Sequence, residues 1–132
     1  MPKAIRIFDN TVVAVDSGIR VVNPASGFPL RVVGNAVFAA TPIQSPTASD
    51  NVTDAFSKAS AYLVAPTAPL GKLDLFPQVG KLSGSTTNLV EFSDFPDYNI
   101  DFNGVQRTTA LHGAYAEEGS NPGWQPALEI KP

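Results

Sequence analysis

One short phrase recurs three times near the start of the chain and constrains the fold more than any other stretch. It reads Ile5-Arg6-Ile7-Phe8-Asp9, then Ile19-Arg20-Val21-Val22-Asn23, then Leu30-Arg31-Val32-Val33-Gly34. Each copy is an aliphatic residue, an arginine, two more apolar residues and a turn former. In an extended strand successive side chains face opposite ways, so the first and third residues share one face and the arginine takes the other. Three such strands make a sheet with one aliphatic face to bury and an arginine on the opposite face of each strand.

The copies start 14 and then 11 residues apart, a spacing too irregular for a solenoid and ordinary for hairpins. The expectation is therefore an antiparallel meander over residues 4–40. Its first hairpin joins residues 5–8 to residues 12–15 through Asp9-Asn10-Thr11. Val52, Ala55, Phe56, Ala59, Tyr62 and Leu63 recur at three- and four-residue steps, which predicts one short α-helix at about 51–63. Asp50 or Asn51 would cap that helix and Pro66 would stop it. Further strands are expected at residues 72–76 and 86–92. Asn103-Gly104 predicts a hairpin between residues 100–102 and 105–108.

The chain of 132 residues is the length of one domain, here expected over 1–132 with an N-terminal arm at 1–4. Its tail, residues 117–132, is expected to be loose or packed on a partner. The 12 prolines and 10 glycines punctuate the whole chain, which favours short strands and loops over a helical bundle. The fold class expected is mainly β: an antiparallel β-sandwich or barrel with one short α-helix (about 51–63) and extended termini.

Only 16% of residues are charged, against about 25% in a typical domain. Either a partner covers part of the surface, or Ser, Thr, Asn and Gly wet it. Residues 1–81 carry a balance of +2 and residues 82–132 one of −5, a polarity able to steer head-to-tail association of copies. No basic cluster exists for nucleic acid, and no apolar run approaches a membrane span or a signal peptide. Synthesis in the cytoplasm is expected. With no cysteine, disulfides and thiolate metal sites are excluded.

No catalytic residue is predicted. His112 is the only histidine, and no serine lies in a nucleophile elbow. The chain is read as not an enzyme, with no cofactor and no assigned metal ligand. Asp97-x-Asn99-x-Asp101 resembles half of a calcium loop, but Phe102 stands where the EF-hand glycine belongs. The alternative is a strand with its polar residues facing water. Phe92, Phe95, Tyr98 and Phe102 interleave with these acids, a composition that suits a sugar-binding face, a protein interface or a core. The candidate interface residues are Arg6, Arg20, Arg31, Phe92, Phe95, Tyr98 and Trp124. The three arginines would either stay solvated or meet carboxylates of a neighbouring copy.

The short arm of residues 1–4, the β-rich body from Ile5 and the tail of residues 117–132 together resemble accessory proteins of bacteriophage particles, especially capsid decoration (cement) proteins. Those are cysteine-free, low-charge, β-rich single domains with extended termini. The resemblance is one of style and spans the whole chain. It implies a homo-oligomer, often a trimer, that stabilises a capsid shell in the virion, and it leaves room for a tail or baseplate role. The leading expectation is therefore a non-enzymatic structural protein of a large assembly. The alternative is a carbohydrate- or ligand-binding β-domain, including a receptor-binding role.

Overall fold

The computed structural model describes residues 3–85, 87–108 and 110–132. Residues 5–54 form strands that pair in parallel, not hairpins. The first three are β1 (Ile5–Phe8), β2 (Thr11–Val13) and β3 (Ser17–Arg20); the next three are β4 (Leu30–Val33), β5 (Ala36–Phe38) and β6 (Thr41–Gln44). Then come β7 (Ala48–Ser49) and β8 (Val52–Asp54). They stack as β1-β4-β7, β2-β5-β8 and β3-β6, every pair parallel. This is a short three-sided solenoid. Ile7 lies beside Val32, and Val32 beside Ala48, so successive coils advance by 25 and then 16 residues.

The corners explain why hairpins do not form. Asp9, Gly34 and Asp50 have φ of 54°, 72° and 50°, the left-handed region that Gly, Asp and Asn enter most easily. Each is followed by an asparagine: Asn10, Asn35 and Asn51. One left-handed residue turns the chain onto the next side of the coil without reversing it. The asparagines then stack. The Asn35 Oδ1 accepts from the Asn10 backbone amide at 3.0 Å and from its Nδ2 at 2.9 Å. The Asn51 Oδ1 accepts in the same way from Asn35, at 2.9 Å each. Asn35 Nδ2 also donates to the carbonyls of Ile7 and Val33, so this fully buried side chain satisfies the corner's backbone.

Strand alternation sorts the side chains into two cores. Inside the coil, Ile19, Val32 and Val37 pack with Ile7, Val12, Val21, Leu30 and Ile43. Outside β2-β5-β8, Ala36, Phe38, Ala59, Leu63 and Leu82 form a second cluster. The later part of the chain supplies its cover. No α-helix occurs among the described residues; the helix expected at about 51–63 is replaced by β8 and a 3-10 segment at Phe56–Ala61. Val52–Asp54 has a free edge of β5 to pair with, and those ladder bonds outweigh local helix propensity. Asp50 and Asn51, expected to cap that helix, instead form the third corner of the coil, and the Asp54 carboxylate accepts from the Ala55 amide and from the Tyr62 hydroxyl.

Beyond this, β9 (Leu63–Ala65) and β10 (Asp74–Pro77) form an antiparallel pair with a register shift. The strand expected at 86–92 is a 3-10 turn at Leu89–Phe92, with Thr86 outside the described residues. The Asn103-Gly104 hairpin reduces to one antiparallel bridge, Ile100 with Gln106. Buried carboxylates organise the rest. Asp101 accepts from the amides of Asn103, Val105 and Ala116. Asp74 accepts from the Phe76 amide and from the side chains of Asn121 and Gln125. The fold is thus mainly β, but parallel and solenoidal; the antiparallel sandwich or barrel is not what forms.

At the N-terminal arm, Met1 and Pro2 lie outside the described residues. In the tail, Trp124 packs at 6.0 Å from the Phe102 ring and the Pro126 carbonyl accepts from the Gly71 amide, whereas Leu128 and Ile130 are exposed.

Candidate functional site

The outer face of the β1-β4 sheet carries Arg6, Phe8 and Arg31. Arg6 and Arg31 are direct register partners, as the repeated phrase implies for two of its three copies. Arg20 belongs to another sheet and is exposed. The two paired arginines meet acids of their own chain. Arg31 makes a bidentate contact to Glu91 at 2.9 and 2.7 Å, and Arg6 reaches Asp94 at 3.5 Å. The segment around residues 89–98 is thereby fastened across the sheet. Phe92, expected at an interface, is completely buried and stacks on Phe8 at 3.9 Å with the rings nearly parallel. It is a core residue.

Between this segment and the first corner lies a cleft of about 430 Å³. Arg6, Phe95, Asp97 and Tyr98 line its rim, and Asp9 and Arg107 lie deeper in its wall. Phe95 remains 40% exposed, and the Arg6 guanidinium sits over its ring at 5.5 Å. Phe102 also borders the cleft, but Tyr115, Trp124 and Lys131 already occupy its surroundings. The free aromatic surface is therefore that of Phe95 and Tyr98.

At the inner wall Arg107 Nε faces Asp9 Oδ2 at 3.4 Å, both side chains more than nine-tenths buried. Burial pushes the Asp9 carboxyl up to about 6, and the positive charge of Arg107, then that of His112 when protonated, pulls it back. Burial likewise lowers Arg107, with Asp9 and Asp101 opposing. Arg107 also donates to the carbonyls of Leu111, Gly113 and Tyr115, so both of its terminal nitrogens are engaged by the chain itself. Asp101 is committed to backbone amides through both oxygens. The groups left to meet a ligand are Asp97, Tyr98 and the exposed part of Phe95, with Arg6 at the rim held by Asp94 and the Phe95 ring.

The expected calcium half-loop is not assembled. Asp101 turns inward to the backbone, and no group of three acidic or histidine side chains able to hold a metal occurs among the described residues. The alternative of a strand is also replaced, since Tyr98 and Ile100 sit in turn and bridge geometry with Ile100 42% exposed. His112 is buried, with Nε2 at 3.0 Å from the Asp50 carboxylate. It lies outside the cleft and locks the third corner to the later chain. No helix of the described residues is long and apolar enough to cross a membrane.

Asp9, Asn10 and Arg107 are the site residues that sequence reasoning missed. The signal for Asp9 and Asn10 is the threefold pair of a left-handed residue and an asparagine, Asp9-Asn10, Gly34-Asn35 and Asp50-Asn51, which reads equally as turn chemistry; Arg107 has none. Comparison with family models, with characterised proteins and with solved structures finds no match to this chain.

Proposed function

We propose that the chain is a non-enzymatic binding domain for neutral saccharides, with the cleft at the first corner as its site. The observation that carries this reading is the grouping of exposed Phe95 and half-buried Tyr98 with Arg6 and Asp97 in one cleft. A sugar ring has an apolar C–H face for an aromatic side chain and a rim of hydroxyls for charged and amide groups. A cation and an anion of equal number at the rim favour an uncharged polyol over a dense anion such as a phosphate. Binding fits better than catalysis, because the acids nearest the wall are held by Arg107 and by backbone amides. Those acids are not poised as a free acid–base pair.

Titrating the protein with neutral oligosaccharides while following tyrosine fluorescence and heat tests this. The account expects saturable binding that Phe95→Ala weakens at least tenfold, with the thermal midpoint of the variant near that of the parent. Silence on a glycan array, together with unchanged Tyr98 emission, would overturn it.

A second reading is a structural component of a larger assembly such as a virion. The open strand edges of the first coil favour it, since unpaired edges invite pairing with other chains. Recovery of the protein at fixed stoichiometry on purified particles would support this reading, and indifference to them would sink it.

A further inference from the structure

The two ends of the solenoid are open and chemically complementary. β1, β2 and β3 each pair on one side only, with β4, β5 and β6, so a whole coil presents unpaired backbone at one end. At the other end β7 and β8 pair only with β4 and β5. There a recess of about 320 Å³ opens, lined by Pro42, Ile43, Ala48, Asn51 and Thr53 among others. The asparagine ladder has a direction. Each asparagine passes its backbone amide and Nδ2 to the Oδ1 of the next, from Asn10 to Asn35 to Asn51. Among the described residues no donor reaches Asn10 Oδ1 and no acceptor reaches the Asn51 amide. One end of the ladder thus offers an acceptor and the other a donor.

We infer that the first-coil end is a docking surface for the last-coil end of a second copy of this chain, joined head to tail with the asparagine ladder running through the junction. A two-fold contact between identical ends would set acceptor against acceptor at one junction and donor against donor at the other. The head-to-tail contact alone matches donor to acceptor and keeps the strands parallel. Such a heterologous contact does not close, so copies add as a stack. Stacking also covers the edge that a lone solenoid leaves open, as repeat architectures require of their terminal coils.

Analytical ultracentrifugation across micromolar to high-micromolar concentration reads the result. Two variants separate the ends. Arg6→Pro removes an amide pointing away from β4, because it is the neighbouring Ile5 amide that donates to Pro29, and β1 is the strand that would lie on β7 of the next copy; it blocks the first-coil end. Thr53→Lys places a charge in the recess of the opposite end. The parent protein should rise from monomer to twice that mass and beyond as concentration increases. Each variant alone should stay monomeric, because every contact needs one end of each kind, and an equimolar mixture of the two should pair only through the unblocked ends, giving a species of two chains that does not grow. A parent that stays monomeric throughout overturns the proposal, whatever the variants do. A parent that stops at two chains, with Thr53→Lys pairing as well as the parent, overturns it in favour of a two-fold contact. Circular dichroism of each variant shows that it is folded before its mass is read.

Discussion

Residues 5–54 and residues 63–132 satisfy their buried backbone groups by different means. In the first region strand amides pair with strand carbonyls of the next coil, and Asn35 closes the corner where the ladder is interrupted. In the second, regular pairing among the described residues is limited to β9 with β10 and isolated bridges. Single side chains take over there: Asp101 holds three amides, Asp74 one amide and two side-chain amides, and Arg107 three carbonyls. A ladder spreads the work over many equivalent bonds. The later region instead concentrates it on a few residues, each bridging distant loops. The two regions meet at Asp9 and Arg107 and at Asp50 and His112.

The largest effect should come from the one place where the solenoid also depends on a single side chain. Asn35→Ala takes the acceptor from the Asn10 amide and the side-chain donor from the Ile7 carbonyl, leaves the Val33 carbonyl only the Asp9 amide, and opens a void where a fully buried side chain stood. Each buried unsatisfied group costs about 1–3 kcal/mol, so a loss of about 4–5 kcal/mol is expected in urea unfolding. A loss below about 1 kcal/mol would mean that the coil corners do not need their ladder. Arg107→Met probes the other region and should cost about 2–4 kcal/mol, less than a fully ionised buried pair because Asp9 can take up a proton. Hydrogen exchange sharpens the contrast. In Arg107→Met the amides of residues 111–116 should lose protection while those of β4 and β5 keep theirs.

The smallest effect is one of pH. Asp9 titrates at about 6 in the fold against 3.8 in the unfolded chain, so the fold prefers its protonated form. Its contribution to stability is complete below pH 3.8 and is lost as pH rises through about 6. Asp9→Asn keeps the left-handed corner and removes the ionisation. The thermal midpoint of the parent relative to this variant should therefore fall between pH 4 and pH 7, and a constant difference would contradict the assignment.

Much of the strand content was legible in the sequence. The repeated aliphatic-arginine phrase marks β1 and β4 at Ile5–Phe8 and Leu30–Val33 and overlaps β3 at Ser17–Arg20. Pairing was not legible, because a corner with one left-handed residue and a hairpin turn use the same Asp, Asn and Gly. The irregular 14- and 11-residue spacing concealed the solenoid for a simple reason. The second copy, Ile19 to Asn23, runs from the third side of coil one into the loop beyond it, whereas the first and third copies are true neighbours. The helical periodicity of Val52, Ala55, Phe56, Ala59, Tyr62 and Leu63 reflects real burial of Ala59 and Leu63, achieved by a 3-10 turn and a strand. In the site, Phe95, Tyr98 and Arg6 could be singled out from residue type. Arg107 could not, since its role comes from three carbonyls and one carboxylate that only the folded chain collects.

The parallel coil itself is most directly tested by disulfide trapping, which the absence of native cysteine makes clean. Arg6 and Arg31 are register neighbours on the outer face, within the separation that a disulfide spans. Arg6 and Ala14 would be neighbours in a hairpin. Under mild oxidation, monomeric Arg6→Cys/Arg31→Cys should close an intrachain bond nearly completely by peptide mass mapping, and Arg6→Cys/Ala14→Cys should not. Closure of the second pair with the first left open would show that the chain folds back on itself, and the solenoid would be wrong.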